Sequence, residues 1–333
     1  MNISKIANTT KIIVLNVLFV LIVLFVVDYS LYLKLKHNYL KDAEHPELFP
    51  PISYIENYKA NFSQNTLMFQ NGETNNFDYF RPISGEEYKN KNSILIFGCS
   101  FAYSSGLEDN QTISEKLSQF TKRTIYNFGV CACGIQHMYR LITFSNEALF
   151  KKITNPPSHV IYIYIPSHIQ RLQSNVFPSP LLNNGRNLQY KIENDTLKEN
   201  FSWFDAFSKT FLVKTMYYQK DLAINFYDSN IKDENSKLAY KLFSESKKKL
   251  QEKYPNIKFI ILRYEIIDDY DEQMEEPQMW EELKNDGFII LKSSDLIGRK
   301  YKYHSEDTNQ DGCHPSEYAW DLLIPPLVKE LNL

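Results

Sequence analysis

Three short segments hold most of the residue types that could do covalent chemistry. G-C-S-F-A-Y-S-S-G-L (98–107) places Ser100 two residues after a glycine that ends an apolar run. N-F-G-V-C-A-C-G (127–134) closes a second run, and D-G-C-H-P-S (311–316) sets Asp311 and His314 three residues apart. A serine hydroxyl is a weak nucleophile until a neighbouring base takes its proton. An imidazole can be that base, and a carboxylate can orient the ring and stabilise its charged form. Asp311 and His314 share one turn, so both can reach one serine. The chain has only 10 glycines in 333 residues, well under the usual roughly 7%. Five of them (Gly98, Gly106, Gly129, Gly134, Gly312) and all four cysteines fall in these three segments. Glycine kept there points to tight turns or close backbone approach.

These segments need elements to hold them. S-I-L-I-F-G (93–98) is a short apolar run of the kind that forms a buried strand. Further strands are predicted at 124–130, 159–166, 257–265 and 287–293. Between them lie helical patterns: a helix capped by Asp109, Asn110 or Thr112 and running to Phe120, and others over 135–150 and 235–253. A last helix over 315–331 should kink at Pro325–Pro326. Alternating strands and helices, with strands apolar on both faces, predict an α/β fold of the doubly wound, flavodoxin-like kind. That is a three-layer α/β/α sandwich on a parallel sheet. Ligands in such sheets sit beyond the C-terminal strand ends, at the switch in strand order. The three segments begin at such ends or just before the last helix. The stretch 172–234 breaks the rhythm and is expected to be an insertion beside the site.

Composition narrows the class. Hydrophobic residues at 43% and charged residues at 23% exclude a mostly disordered, collagen-like or polytopic membrane chain. The net charge is −3 and 30 of the 37 basic residues are Lys, so no nucleic-acid partner is expected. Four cysteines are too few for a disulfide scaffold, and no C-x₂-C pair exists. Buried thiols, one disulfide and a metal site stand as alternatives in that order, and no metal or cofactor is expected.

Ile12 to Val27 is apolar apart from Asn16, and the stretch 12–33 is long enough to cross a bilayer. No small-residue cleavage site follows it, which favours an uncleaved anchor over a signal peptide. A buried core helix would not be apolar on all sides. The expected layout is a tail at 1–11, a single-pass transmembrane helix at 12–33, a juxtamembrane lead-in at 34–90, and a domain at 91–333. Lys5 and Lys11 before the span roughly balance Lys34, Lys36 and Lys41 after it, so charge does not set its orientation.

The Ser100 segment resembles the GDS(L) block of SGNH/GDSL hydrolases, and D-G-C-H-P-S resembles their terminal D-x-x-H block. The resemblance covers roughly 93–331. It implies Ser100 as nucleophile, His314 as general base and Asp311 as its partner. It also implies that the N–H groups of Ser100 and Gly129 line an oxyanion hole. The chain departs from the family at Cys99, where an Asp is usual, and after the third strand, where an Asn is usual. His168 is the best match to that Asn and is expected to donate to the oxyanion; Arg171, one turn on, is a candidate for substrate binding. His137 and His304 are expected to be structural.

The resemblance implies a serine esterase with its catalytic domain outside the cytoplasm, and the expected anchor places it beside envelope polymers, so the expected substrate is an O-acylated, most simply O-acetylated, cell-envelope glycan. Two alternatives remain open. One is an O-acetyltransferase of the same fold, whose acyl-enzyme passes the acetyl to a sugar hydroxyl. The other is a non-catalytic envelope scaffold or binding protein. The sequence leaves the oligomeric state open.

Overall fold

The computed structural model describes residues 14–20, 22–27, 30, 80–88, 90–130, 133–144, 153–172, 190–199, 229–266, 277–303, 305–310 and 312–333. Asp311, His304 and Cys131 lie outside the described residues. So do parts of the 12–33 span, of the 34–90 lead-in and of the 172–234 insertion. Residues 14–20 and 22–27 are helical, with exposed apolar side chains. Among the described residues no helix is long and apolar enough to cross a membrane.

Five parallel strands form the sheet: β1 (Ser93–Gly98), β2 (Ile125–Asn127), β3 (Pro157–Tyr164), β6 (Lys258–Arg263) and β7 (Ile289–Lys292), in the order β2-β1-β3-β6-β7. Side chains along a strand alternate between faces, and here both faces are apolar. Leu95, Phe97, Val160, Tyr162, Phe259 and Ile261 enter one buried cluster. Ile94, Ile96, Ile161, Ile163, Ile260 and Leu262 enter the other.

Helices cover both clusters. On the first side lie α3 (Ile135–Phe144), α5 (Ser229–Lys253) and α6 (Pro277–Asn285), which contribute Met138, Leu242, Phe243, Trp280 and Leu283. On the second lie α2 (Ile113–Thr121) and α8 (Glu317–Leu331), with Ile113, Leu117, Trp320, Leu323 and Leu327. Two four-residue helices, α1 (Ser100–Tyr103) and α4 (Ser167–Gln170), follow β1 and β3 directly, and α7 (Ser293–Ile297) follows β7. The sequence-based fold class is therefore observed. β1 sits between β2 and β3, and the direction of winding reverses there, which opens a crevice at their C-terminal ends.

Local chemistry sets several ends. Thr112 caps α2, its Oγ1 accepting the Glu115 N–H at 3.3 Å, while Asp109–Gln111 form a separate 3₁₀ turn. Ser316 caps α8 by accepting the Ala319 N–H at 3.1 Å. That helix stays helical through Pro325 and Pro326. A proline inside a helix frees the carbonyl four residues back. Here those carbonyls belong to Asp321, an exposed residue, and Leu322, a half-buried one.

Residues 80–88, which precede β1, are built into the domain. Ser84 exchanges two backbone hydrogen bonds with Ile125 on the outer edge of β2, at 3.2 and 2.9 Å. Phe80 packs edge-on against Phe128, with centroids 5.2 Å apart. Within the inserted stretch, β4 (Tyr190–Glu193) and β5 (Thr196–Glu199) form an antiparallel hairpin. Asn194 and Asp195 at its tip both have positive φ, as a two-residue type I′ turn requires.

Candidate active site

The turn after β1 is shaped by Gly98. Its φ is +147°, and a Cβ there would meet Ile163 O at 2.8 Å and Ala102 Cβ at 2.9 Å. Only glycine lets β1 run this close to β3 and then turn into α1. Ser100 is the first residue of α1 and is half-buried at the crevice. As an opening residue its N–H has no intrahelical acceptor. Ser104 ends the turn in the left-handed region at φ +58°.

His314 arrives from the loop before α8. Its Nε2 lies 2.7 Å from Ser100 Oγ, and its ring packs against Phe101 with centroids 5.2 Å apart. This is hydrogen-bond distance for a base taking the serine proton. Several bonds set the loop. The Asn309 N–H donates to His314 O at 2.8 Å, and the Gly312 N–H donates to Asn309 O at 2.9 Å. Asn309 Nδ2 also donates to Ser105 O at 2.5 Å, tying the histidine loop to the serine loop. Upstream, buried Asp307 accepts two bonds from Arg299, both at 2.6 Å, and one from the Lys302 N–H at 2.9 Å. The hydrogen bond from Arg299 is the main reason its carboxyl lies below the usual carboxylate range.

Asp311, the expected third member, lies outside the described residues. Gly129 lies in the loop after β2. Its N–H donates to Asn127 Oδ1 at 2.9 Å, so the structure uses that donor internally. Its lack of a side chain has another cause: a Cβ would lie 2.6 Å from the Tyr103 N and 2.7 Å from Ala102 Cβ. Gly129 lets the loop after β2 lie against the backbone of α1. Asn127 completes that contact by donating to Ala102 O at 2.7 Å.

His168 is fully buried beside β3. Its Nδ1 is 2.9 Å from Tyr162 OH, and its ring meets Tyr162 and Tyr164 edge-on. Its Nε2 is buried without a hydrogen-bond partner, and no hydrogen bond joins the ring to Ser100. Burial foremost, and then Arg171 and His137, hold its pKa well below the ordinary value, so the ring is neutral. Arg171 lies at the end of α4 and donates from Nη1 to Cys133 O at 2.7 Å. His137 lies in the first turn of α3, and its Nδ1 accepts the Gly134 N–H at 3.0 Å. Burial, with Arg171 and Arg140 nearby, pushes its pKa down to about 3. Cys99 and Cys133 are buried and Cys313 is half-buried. Among the described residues no group of side chains could hold a metal ion.

The buried histidines predict a pH dependence of stability. A histidine held neutral in the fold takes up a proton on unfolding below about pH 6.5, so stability rises with pH there. For His137 the contribution is full above its unfolded pKa near 6.5 and is lost as pH falls toward about 3. At pH 5 the loss is about 2 kcal/mol from this residue alone, and His168 adds in the same direction. The urea midpoint should therefore drop between pH 7 and pH 5, above the range where ordinary carboxylates titrate. An unchanged midpoint would show that these rings are not held neutral.

Sequence reasoning missed Arg81. It is buried, and its Nε donates to Tyr103 O at 2.8 Å. Nη2 donates to Ser104 O at 2.9 Å and Leu107 O at 2.8 Å, and Nη1 to Asp109 Oδ1 at 2.7 Å. The guanidinium also lies 4.4 Å from the centre of the Tyr103 ring. It therefore holds the chain from the end of α1 to Asp109. The only sequence signal was its rarity, one of seven Arg in a lysine-rich chain.

No family model matches the sequence, and no curated protein matches it either. Solved structures do. A member of the lipolytic protein G-D-S-L family from Veillonella parvula aligns over 73% of this chain and 99% of its own, at 12% identity and TM-score 0.38. A family two carbohydrate esterase from Clostridium thermocellum, solved with cellohexaose, aligns over 73% of this chain and 64% of its own, at 10% identity and TM-score 0.42. An acetyl xylan esterase from the rumen bacterium Butyrivibrio proteoclasticus aligns over 73% of this chain and 63% of its own, at 8% identity and TM-score 0.39. At these identities and scores the likenesses carry no functional argument, which rests on the geometry above.

Proposed function

We propose that the protein is an SGNH-type serine esterase that removes an acyl group, most simply acetyl, from a carbohydrate hydroxyl. The observation that carries this is the 2.7 Å contact between Ser100 Oγ and His314 Nε2 at the crevice beyond β1. In the first half-reaction Ser100 Oγ attacks the ester carbonyl while His314 Nε2 takes its proton. The tetrahedral intermediate collapses, the C–O bond to the sugar breaks, and His314 returns the proton to the leaving alkoxide. Water then attacks the acyl-serine with His314 again as base, which releases the carboxylic acid and restores Ser100. The developing oxyanion needs preorganised donors. The Ser100 N–H supports that role, and the neutral His168 imidazole is the second donor in this reading if its Nε2 carries the proton. Asp311 is assigned the orientation of His314. The apolar stretch 12–33 is assigned the anchor that keeps the enzyme at a membrane surface, facing envelope glycans.

The test is acetate release from acetylated oligosaccharides by the full chain, with and without an excess of unacetylated acceptor. Hydrolysis should release acetate stoichiometrically with ester loss. Ester loss without acetate, accompanied by acetylated acceptor, would replace the esterase with the acetyltransferase. No reaction with any ester would remove both.

A further inference from the structure

The two loops that flank the nucleophile meet through one arginine. β1 lies between β2 and β3, so the loops after β2 and β3 border the C-terminal end from which Ser100 emerges. Their contact is the Arg171 Nη1 bond to Cys133 O, supported by Gln136 Nε2 donating to Arg171 O at 2.8 Å. Arg171 is partly exposed. Among the described residues no carboxylate pairs with it, and the bond to Cys133 uses a single N–H. Among the described residues nothing engages the edge formed by Nε and Nη2, and that edge is the side-on fork that matches two oxygens of one anion.

The surroundings strengthen the case. Among the described residues the groups that interact electrostatically with Arg171 are His137, His168 and the Tyr162 phenol, with Arg140 beside His137, and no carboxylate is among them. His168 Nε2 is buried without a partner in the same cluster. Buried polar atoms in native proteins are nearly always satisfied, so this ring nitrogen marks a polar site with unmet hydrogen-bonding capacity. A net charge of −3 makes this basic cluster a local feature and not part of a generally basic surface.

We infer that Arg171 binds an anionic group, a carboxylate or a phosphate, that the acylated substrate carries beside the ester attacked by Ser100. The inference deepens the esterase reading and rests on it for the nature of the substrate. It makes the substrate an acidic glycan. A neutral polymer such as plain xylan or cellulose would leave the guanidinium fork empty.

The test separates binding from turnover. Calorimetric titration of the full chain at low salt uses three unesterified probes: methyl glucoside, methyl glucuronide and methyl glucoside 6-phosphate. The wild type should bind at least one anionic probe about 10- to 100-fold more tightly than the neutral one, the worth of charge-assisted hydrogen bonds. The probe preferred tells a uronate from a phosphate. R171Q should abolish the preference, and R171K, which keeps charge without the fork, should retain part of it. Equal binding of all three probes by the wild type would overturn the inference, as would a preference that R171Q leaves intact. If R171Q fails to fold, a wild-type preference that R171K reduces supports the inference, and one that R171K leaves unchanged overturns it. Arg171-dependent binding with no acetate released from any ester would leave this inference standing and remove the esterase reading alone.

Discussion

Ser100→Ala should abolish turnover of acetyl esters, a loss of about 10⁴- to 10⁶-fold, and should end labelling by a fluorophosphonate probe. The wild type should label once, at Ser100. Its Oγ lies 2.7 Å from His314 Nε2, in reach of the base. Among the described residues the hydroxyl makes no other hydrogen bond. It is half-buried at the mouth of the crevice, so the alanine variant should melt within a degree or two of the wild type. His314→Ala should slow labelling nearly as much, because the hydroxyl then has no base. Labelling of His314→Ala at the wild-type rate would show that the contact is a resting hydrogen bond and not a proton relay.

Arg81→Leu should have the largest effect on stability, about 3–5 kcal/mol in urea unfolding. The substitution strands three carbonyls, of Tyr103, Ser104 and Leu107, and removes the partner of Asp109. It should also slow fluorophosphonate labelling of the molecules that remain folded, because those carbonyls belong to the segment that follows Ser100. Arg81→Lys should fall between the two. An ammonium offers three donors from one point and cannot reproduce four bonds spread over a planar fork. A leucine variant within 0.5 kcal/mol of the wild type would mean that the loop closes without the guanidinium.

The parts of the fold that were legible in the sequence share a physical cause. β1, β3 and β6 are buried on both faces, so they appear as unbroken apolar runs, and their bounds match expectation to within two residues. Ser100 and His314 were legible because their turns demand glycine, and glycine is scarce. β2 was harder, ending at Asn127 because the chain there bends to lay Gly129 against α1. The packing role of Gly129 was not legible for a simple reason: a glycine kept for its small size and one kept to expose an N–H are the same letter. Arg81 and Asn309 act on backbone carbonyls of distant segments, and such contacts leave no periodicity or spacing. The β4–β5 hairpin was missed because Asn-Asp is a weaker turn signal than Asn-Gly.

The position of α8 has a consequence for how the chain is made. Every strand of the sheet precedes α8 in the sequence, yet Trp320, Leu323 and Leu327 from that helix cover Ile94, Ile96 and Ile161 of the first strands. On a ribosome, where synthesis runs at about 5–20 residues per second, the part of that face that α2 does not cover stays bare until the end of the domain has emerged. Its isoleucines are then open to other nascent chains, so a nonsense codon anywhere before Glu317 would yield aggregates in place of a weakened enzyme. The same helix follows directly on the loop bearing His314, so the chain acquires its general base and the cover over its core in one closing event.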